Sequence, residues 1–231
     1  MERTDVIQAF IDGRQLSTYL EIGVSSGHSF LRVRAQRKIG VEPRPRIGAL
    51  KWLRWWIREA SNRRSVLIRS TSEAFFAAPP AVVQAEGIDI AFVDGLHTYE
   101  QALADVEGCL RHLNPGGVVL MHDCSPPSAA AATRASSPED ARGQGPEGWD
   151  GTWCGDVYKA ILHLRAQRSD LQVCVLDCDR GIGIVQPGVA ATVLDLTPEA
   201  IQDLGYRDLE RHRGRWLDLR GPESLPLLVG R

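Results

Sequence analysis

Short apolar runs alternate along the chain with longer segments whose apolar residues recur at helical spacing. Several of the short runs are continuous stretches of Val, Ile and Leu, which is typical of strands covered on both faces. Strands that alternate with helices predict a doubly wound α/β fold with a mostly parallel seven-stranded sheet and helices on both faces. The predicted strands are 18–24, 38–42, 65–69, 88–94, 117–122, 172–177 and 181–186, and the predicted helices include 47–60, 99–113, 157–167 and 198–204.

The length of 231 residues favours a single domain, 1–231. Segment 125–151 interrupts the alternation, because it is rich in Ala, Ser, Pro and Gly and has no strong periodicity. A loop of this length inside a domain is typical of a lid or a binding loop. Segment 188–231 is predicted to be a C-terminal extension that carries the helix at 198–204.

Charge and composition narrow the range of partners. Lys and Arg number 27 against 29 Asp and Glu, so no basic excess exists to neutralise nucleic-acid phosphates. No apolar run approaches the roughly 20 residues of a bilayer span, and no membrane partner is predicted. The first residues lack the pattern of a signal peptide, and the five cysteines form no C-x-x-C pair. We therefore expect a cytoplasmic protein without a nucleic-acid partner.

The first predicted strand leads into the pattern Glu21-x-Gly23-x-Ser25-x-Gly27, which is expected to lead into a helix. Small residues at these positions allow a ligand to approach the backbone. The spacing differs from G-x-G-x-x-G, so a pyrophosphate-binding dinucleotide site is disfavoured. Glu42, at the end of the second strand, is placed to accept both hydroxyl groups of a ribose.

Four polar residues follow the fourth and fifth predicted strands: Asp94, His97, His122 and Asp123. Ligands of open parallel sheets bind outside the carboxyl ends of the strands, so these residues are candidates for the chemistry. Carboxylates with an imidazole suit Mg²⁺, Mn²⁺ or Fe²⁺ better than a structural zinc ion. An imidazole in the same place can also act as a general base.

Three segments, 19–30 with Glu42, 88–99 and 115–124, together resemble class I S-adenosylmethionine-dependent methyltransferases. The segment Val-Asp-Gly-Leu-His-Thr-Tyr followed by a His-Asp pair is similar to the small-molecule branch, including macrolide-sugar O-methyltransferases. The resemblance implies a Rossmann-like fold, a methionine portion beside the glycine loop and a ribose on Glu42. The cofactor-binding set that it implies is Glu21, Gly23, Ser25, Gly27, Glu42, Ser72, Glu73 and Asp94.

The resemblance also implies the reaction, methyl transfer to a hydroxyl group of a sugar or another natural-product acceptor. It implies a divalent metal ion, Mg²⁺ or else Mn²⁺ or Fe²⁺, held by Asp94, His122 and Asp123. His122 departs from the family pattern, because an acid would stand at that position. His97 is the first choice for the general base and His122 the second.

Two aromatic-rich segments leave alternatives open. Asp156 either caps the helix that begins at 157 or faces the acceptor in a catalytic role together with Trp153 and Tyr158. The Trp residues of helix 47–60 share one face, which favours a core or homodimer contact over a substrate wall. Three further hypotheses stay open: a metal-free methyltransferase with a histidine base, a nicotinamide-dependent oxidoreductase and a non-catalytic binding module.

Overall fold

Helices and strands alternate over most of residues 1–230, which are the residues that the structure, a computed structural model, describes. The strands are β1 (Thr18–Ile22), β2 (Arg37–Val41), β3 (Val66–Ile68), β4 (Ile88–Val93), β5 (Leu113–Met121), β6 (Leu171–Leu176), β7 (Ile182–Pro187) and β8 (Leu219–Arg220). The helices are α1 (Arg3–Arg14), α2 (Ala49–Arg58), α3 (Ser72–Ala77), α4 (Ala81–Glu86), α5 (Tyr99–Leu110), α6 (Pro138–Gly143), α7 (Tyr158–Gln167), α8 (Pro198–Asp203), α9 (Tyr206–Trp216) and α10 (Leu225–Val229). Short 3-10 helices lie at Ala60–Arg64 and Pro222–Ser224.

The strands form one sheet in the order β3-β2-β1-β4-β5-β7-β6-β8, which confirms the predicted α/β class. β1 pairs in parallel with β2 and β4, and β6 pairs antiparallel with β7. The prediction of seven strands was wrong, because the sheet has eight. The extra strand, β8, pairs in parallel with β6 over two residues, which are too few to show a period in the sequence.

The contacts within the chain divide it into two compact units. The first unit comprises residues 1–95 and 104–120 together with the C-terminal residues from 225. The second unit comprises residues 96–103 and 121–224. The predicted single domain with a C-terminal extension stays a prediction.

In the first unit, β1 lies between β2 and β4 and all five of its residues are buried. Ile22, its last residue, is in register with Val41 of β2 and with Val93 of β4. These parallel strands therefore end at the same level. The residues that follow them, Gly23 and Asp94 among them, leave the sheet together.

In the second unit, β6 and β7 form a hairpin whose turn spans residues 177–181. Helix α7 packs on β6, and its Arg165 donates hydrogen bonds to the carbonyl groups of Arg215 and Trp216 at the end of α9. Segment 125–151 contains the short helix α6 and is partly packed, since Ala131 is buried and its carbonyl group accepts from Cys154 N–H. That this segment acts as a flexible lid stays a prediction.

Several local predictions differ from the structure. The glycine loop after β1 continues as turns over residues 25–32, where a helix was expected. The predicted helix 99–113 ends at Leu110, and residues 114–117, expected as a turn, belong to β5. The sequence pattern also missed α1, which buries Val6, Ile7, Phe10 and Ile11, and α9, which buries Leu209. None of the helices within residues 1–230 is long and apolar enough to cross a bilayer.

Candidate functional site

The glycine loop of the first unit begins with a residue that has to be glycine. Gly23 has φ +89°, and its N–H donates to the Val41 carbonyl oxygen at 2.9 Å. A Cβ atom at this position would overlap the carbonyl oxygen of Asp94. Gly27 also has a positive φ, +74°, and a Cβ atom added at this position would lie 2.8 Å from the side chain of Ile47. The loop therefore turns tightly at the ends of β1 and β4.

Ser25 and Glu42 connect this loop with the end of β2. The backbone N–H of Ser25 donates to Oε2 of Glu42 at 2.9 Å, and the N–H of Arg44 donates to Oε1 at 2.9 Å. Two amides thus fix the direction of the carboxylate, while each oxygen retains a further lone pair. Of the predicted cofactor-binding residues, Gly23, Ser25 and Glu42 are brought together in the first unit.

Two further acids of the predicted cofactor set have partners in the same unit. Glu21 is 2% exposed and accepts a hydrogen bond from the hydroxyl group of Tyr19. Burial raises the pKa of Glu21 to about 8, although this hydrogen bond and the charge of Lys38 act in the opposite direction. Asp94 directly follows β4, and its Oδ2 accepts from Arg3 at 2.7 Å. Glu21 is therefore an interior acid rather than a surface charge.

Ser72 and Glu73 open helix α3 in the first unit. Thr71 precedes them and caps the helix, since its hydroxyl oxygen accepts from the N–H of Ala74. Glu73 is exposed in the first turn, where a carboxylate favours the helix dipole. The proximity of these two residues to an adenine stays a prediction.

Asp123 is the centre of a polar cluster in the second unit, directly after β5. Its side chain is 2% exposed and its φ is +59°. One oxygen, Oδ1, accepts from Nε of Arg180 at 2.6 Å and from the thiol of Cys154 at 3.3 Å. The other oxygen, Oδ2, lies 3.0 Å from Nδ1 of His122 and 3.5 Å from Nδ1 of His97. Three of the predicted residues, His97, His122 and Asp123, are thus brought together.

Two members of this cluster, Arg180 and Cys154, have pKa values shifted by their neighbours. Partial burial lowers the pKa of the Arg180 guanidinium group, but the carboxylates of Asp123 and Asp179 raise it by more. The net shift of this pKa is therefore upward. Burial, together with the Asp123 carboxylate, raises the pKa of the Cys154 thiol. The thiol therefore remains protonated and acts as a hydrogen-bond donor rather than as a nucleophile.

His97 is held from one side by the segment before α7. Its Nδ1 lies 3.2 Å from the carbonyl oxygen of Trp153, and its ring stacks on the Trp153 indole with centroids 4.7 Å apart. Gly155 has φ +59° and passes so close that a Cβ atom there would overlap the His97 carbonyl oxygen. The position and the plane of the imidazole are therefore fixed by backbone packing.

One of the sequence-based alternatives was that Asp156 caps helix α7. The structure contradicts it, because no side chain caps the start of this helix. The side chain of Asp156 is 5% exposed, and Oδ1 accepts from the N–H of Tyr99, the first residue of α5. The other oxygen pairs with Arg134 at 2.8 Å, and Arg134 also binds Glu100 at 2.8 Å. The predicted catalytic role of Asp156 stays a prediction, and these contacts favour a positioning role.

Sequence reasoning missed both arginines of this unit, Arg134 and Arg180. The Arg180–Asp123 contact spans 57 residues of chain and the Arg134–Asp156 contact spans 22. Neither pair has a periodic signature. The turn residues Asp179 and Arg180 both have positive φ angles, 42° and 63°, but a sequence without glycine at those positions does not reveal this.

The comparisons with known proteins agree on one family of folds. Residues 20–124 match a family model described as a methyltransferase domain. No curated protein matches the chain. Among solved structures, a putative O-methyltransferase from Klebsiella pneumoniae is 12% identical with a TM-score of 0.58, and the alignment covers 81% of this chain and 80% of that one.

Two more structures carry the cofactor or its product. The O-methyltransferase TomG from Streptomyces achromogenes, involved in tomaymycin synthesis and solved with S-adenosylmethionine, is 15% identical with a TM-score of 0.57, covering 80% of this chain and 79% of its own. The Podospora anserina methyltransferase PaMTH1, bound to S-adenosylhomocysteine, is 18% identical with a TM-score of 0.58, covering 80% and 77%. The chain therefore has the α/β fold of class I S-adenosylmethionine-dependent methyltransferases, and its residues 20–124 are similar to a methyltransferase domain.

Proposed function

We propose that the chain transfers the methyl group of S-adenosylmethionine to a hydroxyl group of a small molecule, with His97 as the general base. The position of the His97 ring carries the proposal. Its Nδ1 faces two acceptors, the Trp153 carbonyl oxygen at 3.2 Å and Oδ2 of Asp123 at 3.5 Å. Acceptors at Nδ1 favour the tautomer that is protonated there, in which Nε2 carries the lone pair that can accept a proton.

The reaction needs a base because an alcohol is a weak nucleophile at neutral pH. As the hydroxyl oxygen bonds to the methyl carbon, the S–CH₃ bond breaks and its electron pair passes to sulfur, which gives S-adenosylhomocysteine. The hydroxyl proton passes to Nε2 of His97, and the imidazolium then releases it to water. The sulfonium already activates the methyl group, so the protein contributes mainly alignment and proton transfer.

His122, the second candidate for the base, is less suited to this step. Its side chain is 1% exposed, whereas 16% of the His97 side chain is exposed. Nε2 of His122 lies 3.4 Å from Oδ1 of Asp179 and 3.5 Å from Arg180. An acceptor molecule therefore has better access to His97.

The cofactor assignment is supported by the loop geometry and by the cofactors of the structural relatives. TomG was solved with S-adenosylmethionine and PaMTH1 with S-adenosylhomocysteine. In this chain Glu42 is oriented by two backbone amides beside the loop that contains Gly23 and Ser25. We infer that Glu42 binds the ribose hydroxyl groups and that the loop lies against the methionine portion. Methyl transfer is accordingly favoured over the nicotinamide-dependent alternative.

We infer that the acceptor is a sugar or another natural product. The role of TomG in tomaymycin synthesis supports a natural-product acceptor. Trp153 stacks on His97, and its indole N–H donates to the Thr133 carbonyl group at 2.9 Å. Segment 125–151 therefore contacts the residue that lies beside the proposed base. The homodimer and the cytoplasmic location stay predictions of the sequence.

Metal assistance is a second version of the same function. The sequence predicts Asp94, His122 and Asp123 as the ligands, of which His122 and Asp123 would provide an imidazole nitrogen and a carboxylate oxygen in the second unit. Such donors fit Mg²⁺, Mn²⁺ or Fe²⁺. A divalent ion bound to the hydroxyl oxygen of the acceptor would lower the pKa of that hydroxyl group.

The metal-free version has a specific observation in its favour. Each predicted carboxylate ligand is already paired with an arginine of its own unit, Asp94 with Arg3 at 2.7 Å and Asp123 with Arg180 at 2.6 Å. A guanidinium group neutralises a carboxylate and fixes its direction, which are two of the tasks that a bound cation would perform. We therefore favour a histidine base supported by Asp123 and Arg180.

The test compares His97→Asn with a matched control, His112→Asn, whose ring stacks on Phe76 in the first unit. S-adenosylhomocysteine formation is measured with glycosides, phenols and catechols as acceptors. His97→Asn is expected to lower the rate about 100-fold or more while the affinity for S-adenosylhomocysteine stays within two-fold. An unchanged rate would exclude His97 as the base. Cofactor binding without transfer to any acceptor would favour the binding-module hypothesis.

A second measurement separates the two versions of the chemistry. The metal-free version predicts that rates in EDTA and in added Mg²⁺, Mn²⁺ or Fe²⁺ agree within two-fold. The metal-assisted version predicts that EDTA abolishes turnover and that one of the ions restores it. Failure to bind S-adenosylhomocysteine at millimolar concentration would overturn both versions.

A further inference from the structure

Helix α2 of the first unit presents apolar side chains to solvent. None of its residues is buried. Leu50 is 84% exposed, Leu53 52%, Trp56 41% and Ile57 62%. Residues at the spacing i, i+3 and i+7 lie on one face of a helix, so Leu50, Leu53 and Ile57 form a continuous stripe with Trp56 beside it. A contiguous exposed apolar patch marks an interaction site. Of the two sequence-based alternatives for this helix, the core contact is not met, because none of its residues is buried, and the homodimer contact stays a prediction.

The same segment is strongly basic. Residues 43–58 contain five cations and no Asp or Glu, although the whole chain has a net charge of −2. On α2 itself, Lys51, Arg54 and Arg58 repeat at i, i+3 and i+7, so they form a second stripe adjacent to the apolar one. Arg63 and Arg64 follow in the next turn of the chain. The exposed half of α2 is thus divided lengthwise into an apolar and a cationic part.

Trp56 is the aromatic residue of α2 that borders the apolar stripe, whereas Trp52 and Trp55 lie on the side of the helix away from it. Trp52 and Trp55 are half-buried against the protein, and the guanidinium group of Arg58 lies 5.5 Å from the centre of the Trp55 ring. Tryptophan is enriched where one end of the side chain is apolar and the other is hydrated. Arginine side chains extend their charge toward water while their stems cover apolar surface.

We propose that α2 binds the surface of a membrane that contains anionic lipids, lying in the plane of the interface. An apolar face with Leu and Trp beside a Lys/Arg face is the pattern of interfacial helices. The choice of partner follows from charge. A symmetric homodimer through α2 would bring the five cations of segment 43–58 from each copy together, whereas an anionic surface is complementary to them. This surface contact needs no spanning segment and does not depend on the proposed function.

The test is co-sedimentation of the full chain with vesicles of phosphatidylcholine alone and of phosphatidylcholine with about one-third phosphatidylglycerol. Binding to the anionic vesicles is expected to be about ten-fold stronger or more, and it should fall as salt rises from about 0.1 M to about 1 M. Leu53→Glu/Ile57→Glu and Arg54→Glu/Arg58→Glu are each expected to lose most of this binding. The matched control is Val189→Glu, an apolar residue 82% exposed outside α2, which should bind as the unaltered chain does.

Light scattering after size exclusion tests whether a second copy of the chain, rather than a membrane, covers this surface. Every substituted side chain of α2 is exposed, so the variants are expected to unfold at the same temperature as the parent chain. Equal sedimentation with both kinds of vesicle, or with none, would overturn the proposal. It would also be overturned if the chain were a dimer that Leu53→Glu/Ile57→Glu converts to a monomer without any vesicle binding in the parent.

Discussion

Arg180 donates a hydrogen bond through Nε to Oδ1 of Asp123 at 2.6 Å, so the cluster after β5 contains its own cation. The Asp123 side chain is 2% exposed, whereas 36% of the Arg180 side chain is exposed. The carboxylate is therefore removed from water and depends on the guanidinium group for compensation. Loss of one partner from such a pair leaves an uncompensated charge, which costs more than the pair contributes.

The first prediction concerns this pair. Arg180→Gln is expected to lower the free energy of unfolding by about 2 kcal/mol, because Asp123 would remain buried without its cation. Urea unfolding followed by circular dichroism measures the change. The control is Arg168→Gln, which removes the exposed Arg168–Asp170 pair at 2.8 Å and is expected to cost below about 1 kcal/mol. Equal losses in the two variants would contradict the structural role assigned to Arg180.

The second prediction concerns the carboxylate at the end of β2. Glu42→Ala removes the acceptor of the Ser25 and Arg44 amides and the proposed acceptor of the ribose hydroxyl groups. Since hydrogen bonds to a charged group contribute about 1.5–3 kcal/mol, the affinity for S-adenosylhomocysteine is expected to fall at least about ten-fold. Titration calorimetry measures it. Glu86→Ala, an exposed acid at the end of α4, should bind as the parent does, and equal affinity of both variants would refute the role of Glu42.

The sequence predicted the first unit best where the relevant contacts follow from strand register. Parallel strands β1, β2 and β4 end at one level, so the residues after them are brought together by the sheet alone. This explains why Gly23, Glu42 and Asp94 could be selected from motif positions at strand ends. The roles assigned to them in cofactor binding stay predictions.

The second unit was harder to predict because its contacts join distant segments. Asp156 accepts from Tyr99 across 57 residues, and Arg180 reaches Asp123 across the same distance. Such pairs depend on how loops pack, and hydrophobic periodicity carries no information about them. For the same reason, one of the two alternatives for Asp156 was a cap of the helix that follows it, whereas its side chain accepts from the first residue of α5.

The third prediction concerns the tight turn at the start of the glycine loop. Gly23→Ala combines a φ of +89° with an overlap between the new Cβ atom and the Asp94 carbonyl oxygen, so it is expected to cost more than about 1–3 kcal/mol or to prevent folding. Gly214→Ala is the control, because Gly214 lies inside α9 with open space around its Cβ position. That change should instead stabilise the chain by about 0.5–1 kcal/mol. Thermal unfolding of both variants gives the comparison, and a Gly23→Ala chain as stable as its parent would contradict the geometry.

The last prediction concerns the pH dependence of stability and rests on Glu21. Burial raises its pKa from the ordinary value of 4.5 to about 8, so between these values the folded chain keeps a proton that the unfolded chain has lost. Stability from this residue is therefore fully present below pH 4.5 and decreases as the pH rises toward 8, by up to about 1.4 kcal/mol for each pH unit. Glu21→Gln mimics the protonated form and should remove this decrease, as measured by urea unfolding at several pH values. The control is Glu147→Gln, which changes an exposed acid in segment 125–151 and should keep the parent's loss of stability with rising pH. If the parent and Glu21→Gln showed the same pH dependence of stability, Glu21 would be ionised in the folded chain.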